Sequence, residues 1–148
     1  MGLHFEGALT IKASRDKVWS FLVDPHAVSK CFPDVQSLEV LEAGKFKAVV
    51  RVGVSFIKGT FAFDIAMLDL DAPRRARIKG HGGGLGSGVD VESTIELSED
   101  GAHMTTLAWK ADVVVSGTIA SVGARLLSTT VEKKTNELFD CMKMQLEA

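Results

Sequence analysis

No run of apolar residues in this chain reaches the ~18 needed to carry a helix across a bilayer, so no membrane-spanning helix is expected. A surplus of one charge is lacking too. Seventeen Lys and Arg against 19 Asp and Glu leave a formal net charge of −2. That is not the basic footprint of a nucleic-acid binder, and no nucleic-acid partner is expected. Cysteine is scarce: Cys31 and Cys141 stand far apart and fit neither a zinc spacing nor a C-x-x-C redox motif. They read as two free thiols, buried or half-buried, in a reducing cytoplasm. The opening MGLHFEG has a charge at Glu6 and no apolar signal-peptide core. Glu6 also stands where a myristoylation signal needs Ser or Thr. Repeats, linkers and long polar tracts are absent, so residues 1–148 read as one domain, long enough to bury a core.

The chemistry-bearing motifs are missing as well. The four histidines, His4, His26, His81 and His103, share no i, i+4 spacing, and there is no H-E-x-x-H, so a zinc site is not expected. No G-x-S-x-G elbow marks a nucleophile. Cys31 lies beside Lys30, a neighbour that can make a loop thiol reactive, while Asp69 and Asp71 read as turn residues before Pro73. No catalytic residue, metal or cofactor is assigned.

What is present is a change of period. Ser14 is a good N-cap for SRDKVWSFLVDP, where Val18, Phe21 and Leu22 share a helical face and Pro25 ends the helix. A second short helix fits before Pro33. From Val35 to Val115 the pattern alternates: Phe61, Phe63, Ile65 and Met67, then Val89, Val91, Ser93, Ile95 and Leu97, then Leu107, Trp109, Ala111, Val113 and Val115. Apolar alternation over successive strands means an antiparallel sheet with one wet face. Turn signals fall at EAGK, LDAPRR and SEDGAH. After Ser116 the apolar residues recur at threes and fours to the end, predicting one helix of roughly 25 to 30 residues. The sheet's apolar face needs a cover, and this helix is the one segment large enough. The fold class is therefore α+β: a curved antiparallel seven-stranded sheet around a long C-terminal helix, with two short helices after the first strand.

Six of the nine residues from Gly80 to Gly88 are glycine. No Lys followed by Ser or Thr makes this a P-loop, and no frame of glycines at i, i+2 and i+5 gives the dinucleotide fingerprint. Folding the segment near Gly84 and Leu85 instead sets Lys79 against Asp90 and Arg77 against Glu92, with Gly80 meeting Val89. The segment then reads as a hairpin with a long, mobile glycine-rich tip, either a plain flexible turn or, through Gly80, His81, Gly82, Gly83 and Gly84, the gate of a pocket.

Three stretches carry a resemblance: VWSFLVDPHAVSKCFPDV (18–35), DAPRRARIKGHGGG (71–84) and VSGTIASVGARLL (115–127). In this order they resemble the CoxG family, named for the G subunit of carbon monoxide dehydrogenase, within the START-like (SRPBCC) superfamily. The resemblance implies a helix-grip fold around an apolar tunnel, and service to a molybdenum-containing dehydrogenase at the membrane. The implied roles are docking or maturing that enzyme, or passing it a lipophilic carrier such as a quinone. Asp34 departs from the glycine usual at that turn. Many relatives add an apolar C-terminal anchor, whereas this sequence ends at Ala148, so at most transient membrane contact is expected.

Small side chains in SGTIASVGA would leave room near the glycine tip if they face the sheet. The expected ligand is neutral and apolar, lined by Phe61, Phe63, Met67, Ile78, Trp109 and Leu127. The leading expectation is a non-enzymatic carrier of a quinone-like or lipid-like molecule, cytoplasmic or peripheral to the inner membrane face, with a molybdenum hydroxylase as partner. A maturation module that binds its partner without ligand is the alternative. A START-like enzyme such as a cyclase stands third, because no acid or base points inward from the strands.

Overall fold

The structure, a computed structural model, describes residues 1–32 and 34–148. Pro33, which falls in the first of the resembling stretches, lies outside the described residues. The order is β1 (Gly2–Ile11), α1 (Arg15–Leu22), α2 (Pro25–Ser29), β2 (Val35–Glu42), β3 (Lys45–Val54), β4 (Ile57–Asp71), β5 (Arg75–Gly84), β6 (Ser87–Glu99), β7 (Thr105–Gly117), a 3-10 segment (Thr118–Val122) and α3 (Ala124–Leu146). One antiparallel sheet runs β1-β7-β6-β5-β4-β3-β2, a meander that β1 extends by pairing with β7.

Local chemistry sets the helix ends. The Ser14 hydroxyl accepts from the Lys17 amide at 3.3 Å, and the Asp24 carboxylate accepts from the amides of His26 and Ala27, with Pro25 in the first turn of α2. The long helix starts later than its periodicity suggests. Gly117 and Gly123, at φ 73° and 98°, bracket a separate 3-10 turn before it, leaving α3 with 23 residues. At its other end, the Lys17 ammonium donates to the Leu146 carbonyl at 2.9 Å, a cation at the negative pole of the helix.

Alternation places Leu107, Trp109, Val113 and Val115 of β7 inward and Ala108, Lys110, Asp112 and Val114 outward. Two apolar clusters hold α3 to the sheet. One joins Phe5, Val54, Ile57, Phe61, Val89, Val113, Val115, Ile119 and Leu127; the other joins Ile11, Val18, Phe21, Cys31, Leu97, Leu107, Met142 and Leu146. The second cluster brings the correction for the cysteines. Cys31 and Cys141, 110 residues apart in sequence, come to a Cα separation of 5.5 Å and form a disulfide. The C-terminal half of α3 lies over the loop that follows α2, which spacing in sequence does not reveal.

The glycine segment is a hairpin, but its register and tip differ from expectation. Lys79 faces Glu92, Arg77 faces Thr94 and Gly80 faces Val91, two residues from the expected pairing. A shift of two keeps every side chain on its face, and Arg77 still donates to Glu92 at 2.7 Å, as well as to Asp69 at 2.8 Å. The turn is Leu85–Gly86 alone, both at positive φ. Gly80, His81, Gly82, Gly83 and Gly84 belong to β5 rather than to a mobile loop. A Cβ on Gly82 would stand 2.1 Å from the Ala62 carbonyl oxygen, and one on Gly84 2.5 Å from that of Thr60. At Gly82 and Gly84, strands β4 and β5 close too tightly for a side chain.

Candidate ligand-binding cleft

Among the strands, α3 comes closest to β1 and β3, rather than to those at the middle of the sheet. Its middle turns stand over the edge strand β1, and there the two apolar clusters do not meet. A cleft of about 750 Å³ opens between His4–Leu9 of β1 and Glu132, Thr135, Asn136, Phe139, Asp140 and Lys143 of α3. Trp109 of β7 lines it and packs against both clusters. The volume suits a small molecule.

The apolar wall is built by two aromatic rings. Trp109 and Phe139 have centroids 5.7 Å apart and planes at 55°, a tilted pair of the kind that aromatic quadrupoles favour. Strand pairing sets Gly7 directly beside Trp109, and the indole nitrogen lies 3.0 Å from where a Gly7 side chain would begin. Among the described residues the indole N–H has no acceptor, and it is not sealed from solvent. The cleft thus combines aromatic surface with an available indole donor, under a polar rim carrying Glu6, Glu132, Asn136, Asp140 and Lys143.

Two ion-paired groups lie near this frame. His4 contacts Asp112 at 2.7 Å and Glu6 at 2.8 Å, and these carboxylates, Glu6 foremost, raise its pKa above the ordinary value. Asp34 ties its loop to α3 by an ion pair of 2.7 Å with Lys134. Asp34 also raises the Lys134 pKa. Among the described residues no three His, Cys, Asp or Glu side chains gather in a way that could hold a metal.

The residues expected to line a tunnel are dispersed. Trp109 alone of the six borders the cleft. Phe61 and Leu127 are buried in the first cluster at 1% and 5% exposure, where they fill the space expected to be open beside the glycine hairpin. Phe63 packs against that cluster, its ring 6.4 Å from Phe61, while Met67 and Ile78 pair across β4 and β5, half-buried. The expected gate faces elsewhere. Gly80 and His81 line a groove of about 530 Å³ on the sheet's outer face, where His81 contacts Asp90. Sequence reasoning missed Phe139 and Gly7. The signals were an aromatic one position off the helix stripe, beside Leu138, and a gap in the inward row Leu3, Phe5, Gly7, Leu9, Ile11.

A curved antiparallel sheet gripping one long C-terminal helix, with two short helices after the first strand, is the helix-grip architecture of START-like proteins. A START superfamily protein from Mycobacterium smegmatis superposes with a TM-score of 0.76 at 14% identity, covering 97% of each chain. The chain belongs to the CoxG family, that of the carbon monoxide dehydrogenase G subunit, whose pattern matches residues 7–147. A conserved protein from Geobacillus kaustophilus is similar at 27% identity and TM-score 0.91, over 98% of this chain and 95% of that one. The Zhui aromatase/cyclase from Streptomyces sp. R1128 shares the fold at 20% identity and TM-score 0.75, over 99% and 94% of the two chains, so the fold also carries an enzyme. Among curated proteins none matches. Family and fold support a ligand-binding accessory role in general. Among the described residues no helix is long and apolar enough to cross a membrane.

Proposed function

We propose that the chain is a non-enzymatic carrier that holds a lipophilic molecule with a flat, quinone-like head in the β1–α3 cleft, and delivers it to or from a molybdenum-containing dehydrogenase. The observation that carries the reading is the Trp109–Phe139 pair beside Gly7, an aromatic wall with a free indole N–H in a cleft of about 750 Å³. A quinone ring would stack on the aromatic wall and accept that N–H at a carbonyl oxygen. Phe63, Met67 and Ile78, half-buried on the concave face, are the surface left for an apolar tail.

Burying ~300 Å² of such a ligand is worth about 7 kcal/mol gross at ~25 cal/mol/Å². Immobilisation takes back much of it, leaving affinity near micromolar, which suits a carrier that must release. The reading places the protein at a membrane face, and the Cys31–Cys141 bridge requires a compartment that does not reduce it.

Native mass spectrometry of freshly purified protein, with tryptophan quenching by a short-chain naphthoquinone, tests the carrier. Saturable quenching lost in Trp109→Ala, with Trp19 still present, is expected. No co-purified apolar mass and no saturable quenching would remove the carrier reading.

One observation favours a second reading, a maturation module that works with its cleft empty. Phe61, Ile119 and Leu127 fill the hollow at the glycine-hairpin end, so no deep tunnel is needed to explain the core. Capture of the dehydrogenase by Trp109→Arg protein as efficiently as by the native chain would select that module.

A further inference from the structure

The two edges of the sheet differ. Strand β2 breaks its pairing with β3 between Val35 and Ser37 and again between Val40 and Glu42, and such irregularities keep an edge from recruiting another strand. Strand β1 pairs with β7 over 10 residues without a break. Its main-chain groups can be assigned from one end. The Met1 amine donates to the Val115 carbonyl at 3.0 Å, and the Val115 amide to that of Met1 at 2.9 Å. In an antiparallel ladder every second residue then turns to the partner strand, so Leu3, Phe5, Gly7 and Leu9 bond β7. The N–H and C=O groups of His4, Glu6 and Ala8 point the other way, off the sheet.

That free edge forms one wall of the β1–α3 cleft. The wall is the unbroken run His4–Leu9, and successive residues, whose side chains take opposite faces, meet in one surface at a strand's backbone edge. Glu6, Gly7 and Ala8, in the middle of the run, are exposed. Across the cleft, Glu132, Asn136, Phe139 and Lys143 follow one another at threes and fours along one face of α3. One edge donor already has a partner from this helix. The Lys12 amide, further along the same even-numbered series, donates to the Glu147 carboxylate at 2.9 Å. Among the described residues the amides of Glu6 and Ala8 have no such acceptor.

We infer that this edge captures an extended, basic segment of another polypeptide as an eighth strand between β1 and α3. The main chain of His4, Glu6 and Ala8 holds the segment, and one of its side chains rests on the Trp109–Phe139 pair beside Gly7. The rim selects its charge. Glu132, Asp140 and Lys143 take part in no ion pair among the described residues. Asp140 and Lys143 lie one turn apart and offset each other, which leaves Glu132. The helix from Glu132 to Phe139 covers about 10 Å, or about three residues of extended chain. The segment therefore carries an aromatic residue with lysine or arginine about three positions away. A second copy of the chain fits less well, because its β1 lies under its own α3 and its β2 edge is broken. The segment shares the cleft with the carrier's ligand, but the inference does not rest on that reading, since the main chain of β1 makes the bonds.

Calorimetric titration of the full chain tests it, with end-blocked peptides of alternating valine and threonine that carry one phenylalanine and, three positions to either side, lysine or glutamate. The lysine peptides are expected to bind about three- to fivefold more tightly than the glutamate peptides, and Glu132→Lys to reverse that order. Hydrogen exchange reads the strand addition itself. With peptide bound, the Glu6 and Ala8 amides should become protected, whereas those of Phe5 and Gly7, already bonded to β7, should change little. Ala8→Pro removes an edge donor and no bond to β7, so it should fold, as circular dichroism checks, and lose about tenfold in peptide affinity. Methylating alternate peptide amides should cost the native chain as much, a test that needs no variant to fold. No binding by any peptide, binding that leaves Glu6 and Ala8 unprotected, or equal affinity for the lysine and glutamate peptides would overturn the inference. Naphthoquinone quenching is measured on separate samples, so failure of the carrier and failure of the peptide site give different results.

Discussion

Gly7 and Trp109 are cross-strand partners on β1 and β7, and the Trp109 indole occupies the space above Gly7 that any other residue would claim. The missing side chain lets the indole lie down on β1, so that ring and N–H border the cleft rather than stand upright into α3. Gly7→Ala sets a methyl 3.0 Å from the indole nitrogen, a contact relieved only by moving the ring. Because β1 is an edge strand and the ring borders open space, the expected stability loss is about 1 kcal/mol, at the low end for overpacking. The larger effect is on the site: a shifted tryptophan emission maximum and naphthoquinone affinity down about tenfold. Unchanged emission and affinity would mean that the glycine does not set the indole's position.

The disulfide joins the loop after α2 to α3 across 110 residues of sequence. Closing so long a loop lowers the entropy of the unfolded chain, worth about 4–5 kcal/mol in the chain-entropy estimate. The paired variant Cys31→Ser, Cys141→Ser should therefore melt roughly 10 °C or more below the oxidised protein. Thermal scans with and without reductant make the comparison, and the native chain under reductant should follow the variant. Coincident melting of all samples would show that the bridge adds nothing to stability.

The strands were legible because one face is buried: the rows through Val89–Leu97 and Leu107–Val115 cannot alternate otherwise. The hairpin at the glycine segment was legible for the same reason, but its register was not. Pairings two residues apart put the same side chains on the same faces, and Arg77 reaches Glu92 in either. The close approach of Gly82 to the Ala62 carbonyl oxygen separates them, and it depends on how β4 and β5 coil, a property of the whole sheet. The cleft was hidden for a related reason. Helical period assigns Leu138 and Met142 to the covered stripe, whereas Phe139 joins Trp109 because the middle of α3 sits toward β1. The disulfide followed from the same crossing and left no trace in spacing. The apolar residues correctly assigned inward, Phe61 and Leu127, proved to be filling rather than lining, since alternation reports which face a side chain takes and not how much room remains there.

Gly82 supplies the test of that packing. Gly82→Ala places a methyl against backbone at 2.1 Å, with the Phe63 Cα at 2.8 Å, and backbone cannot rotate away as a side chain would. The expected cost is about 3 kcal/mol or more, at or above the upper range for overpacking, because the β4–β5 ladder must spread. Chemical denaturation against Gly53→Ala, where nothing lies within 4 Å of the new methyl, isolates the effect. A Gly82→Ala midpoint equal to that of Gly53→Ala would mean that the sheet yields there without strain.

His4 provides the pH-dependent test. It bridges Glu6 on its own strand and Asp112 on β7, and both carboxylates stabilise the imidazolium, Glu6 more than Asp112. Glu6 is lowered in turn, first through its hydrogen bond to His4 and more weakly by Lys110. A histidine raised in the folded state contributes its stability in full below its unfolded value, near 6.5, and loses it as pH rises through the higher folded value. The window therefore opens above about pH 6.5. All three side chains are solvent-exposed, so the effect on global stability is small and the titration itself is the better readout. The imidazole resonance of His4 should titrate above that of a free histidine, and Asp112→Asn should move it back only part of the way, because Glu6 stays in place. Titration of His4 at its ordinary value in the native chain would mean that the bridge does not persist in solution.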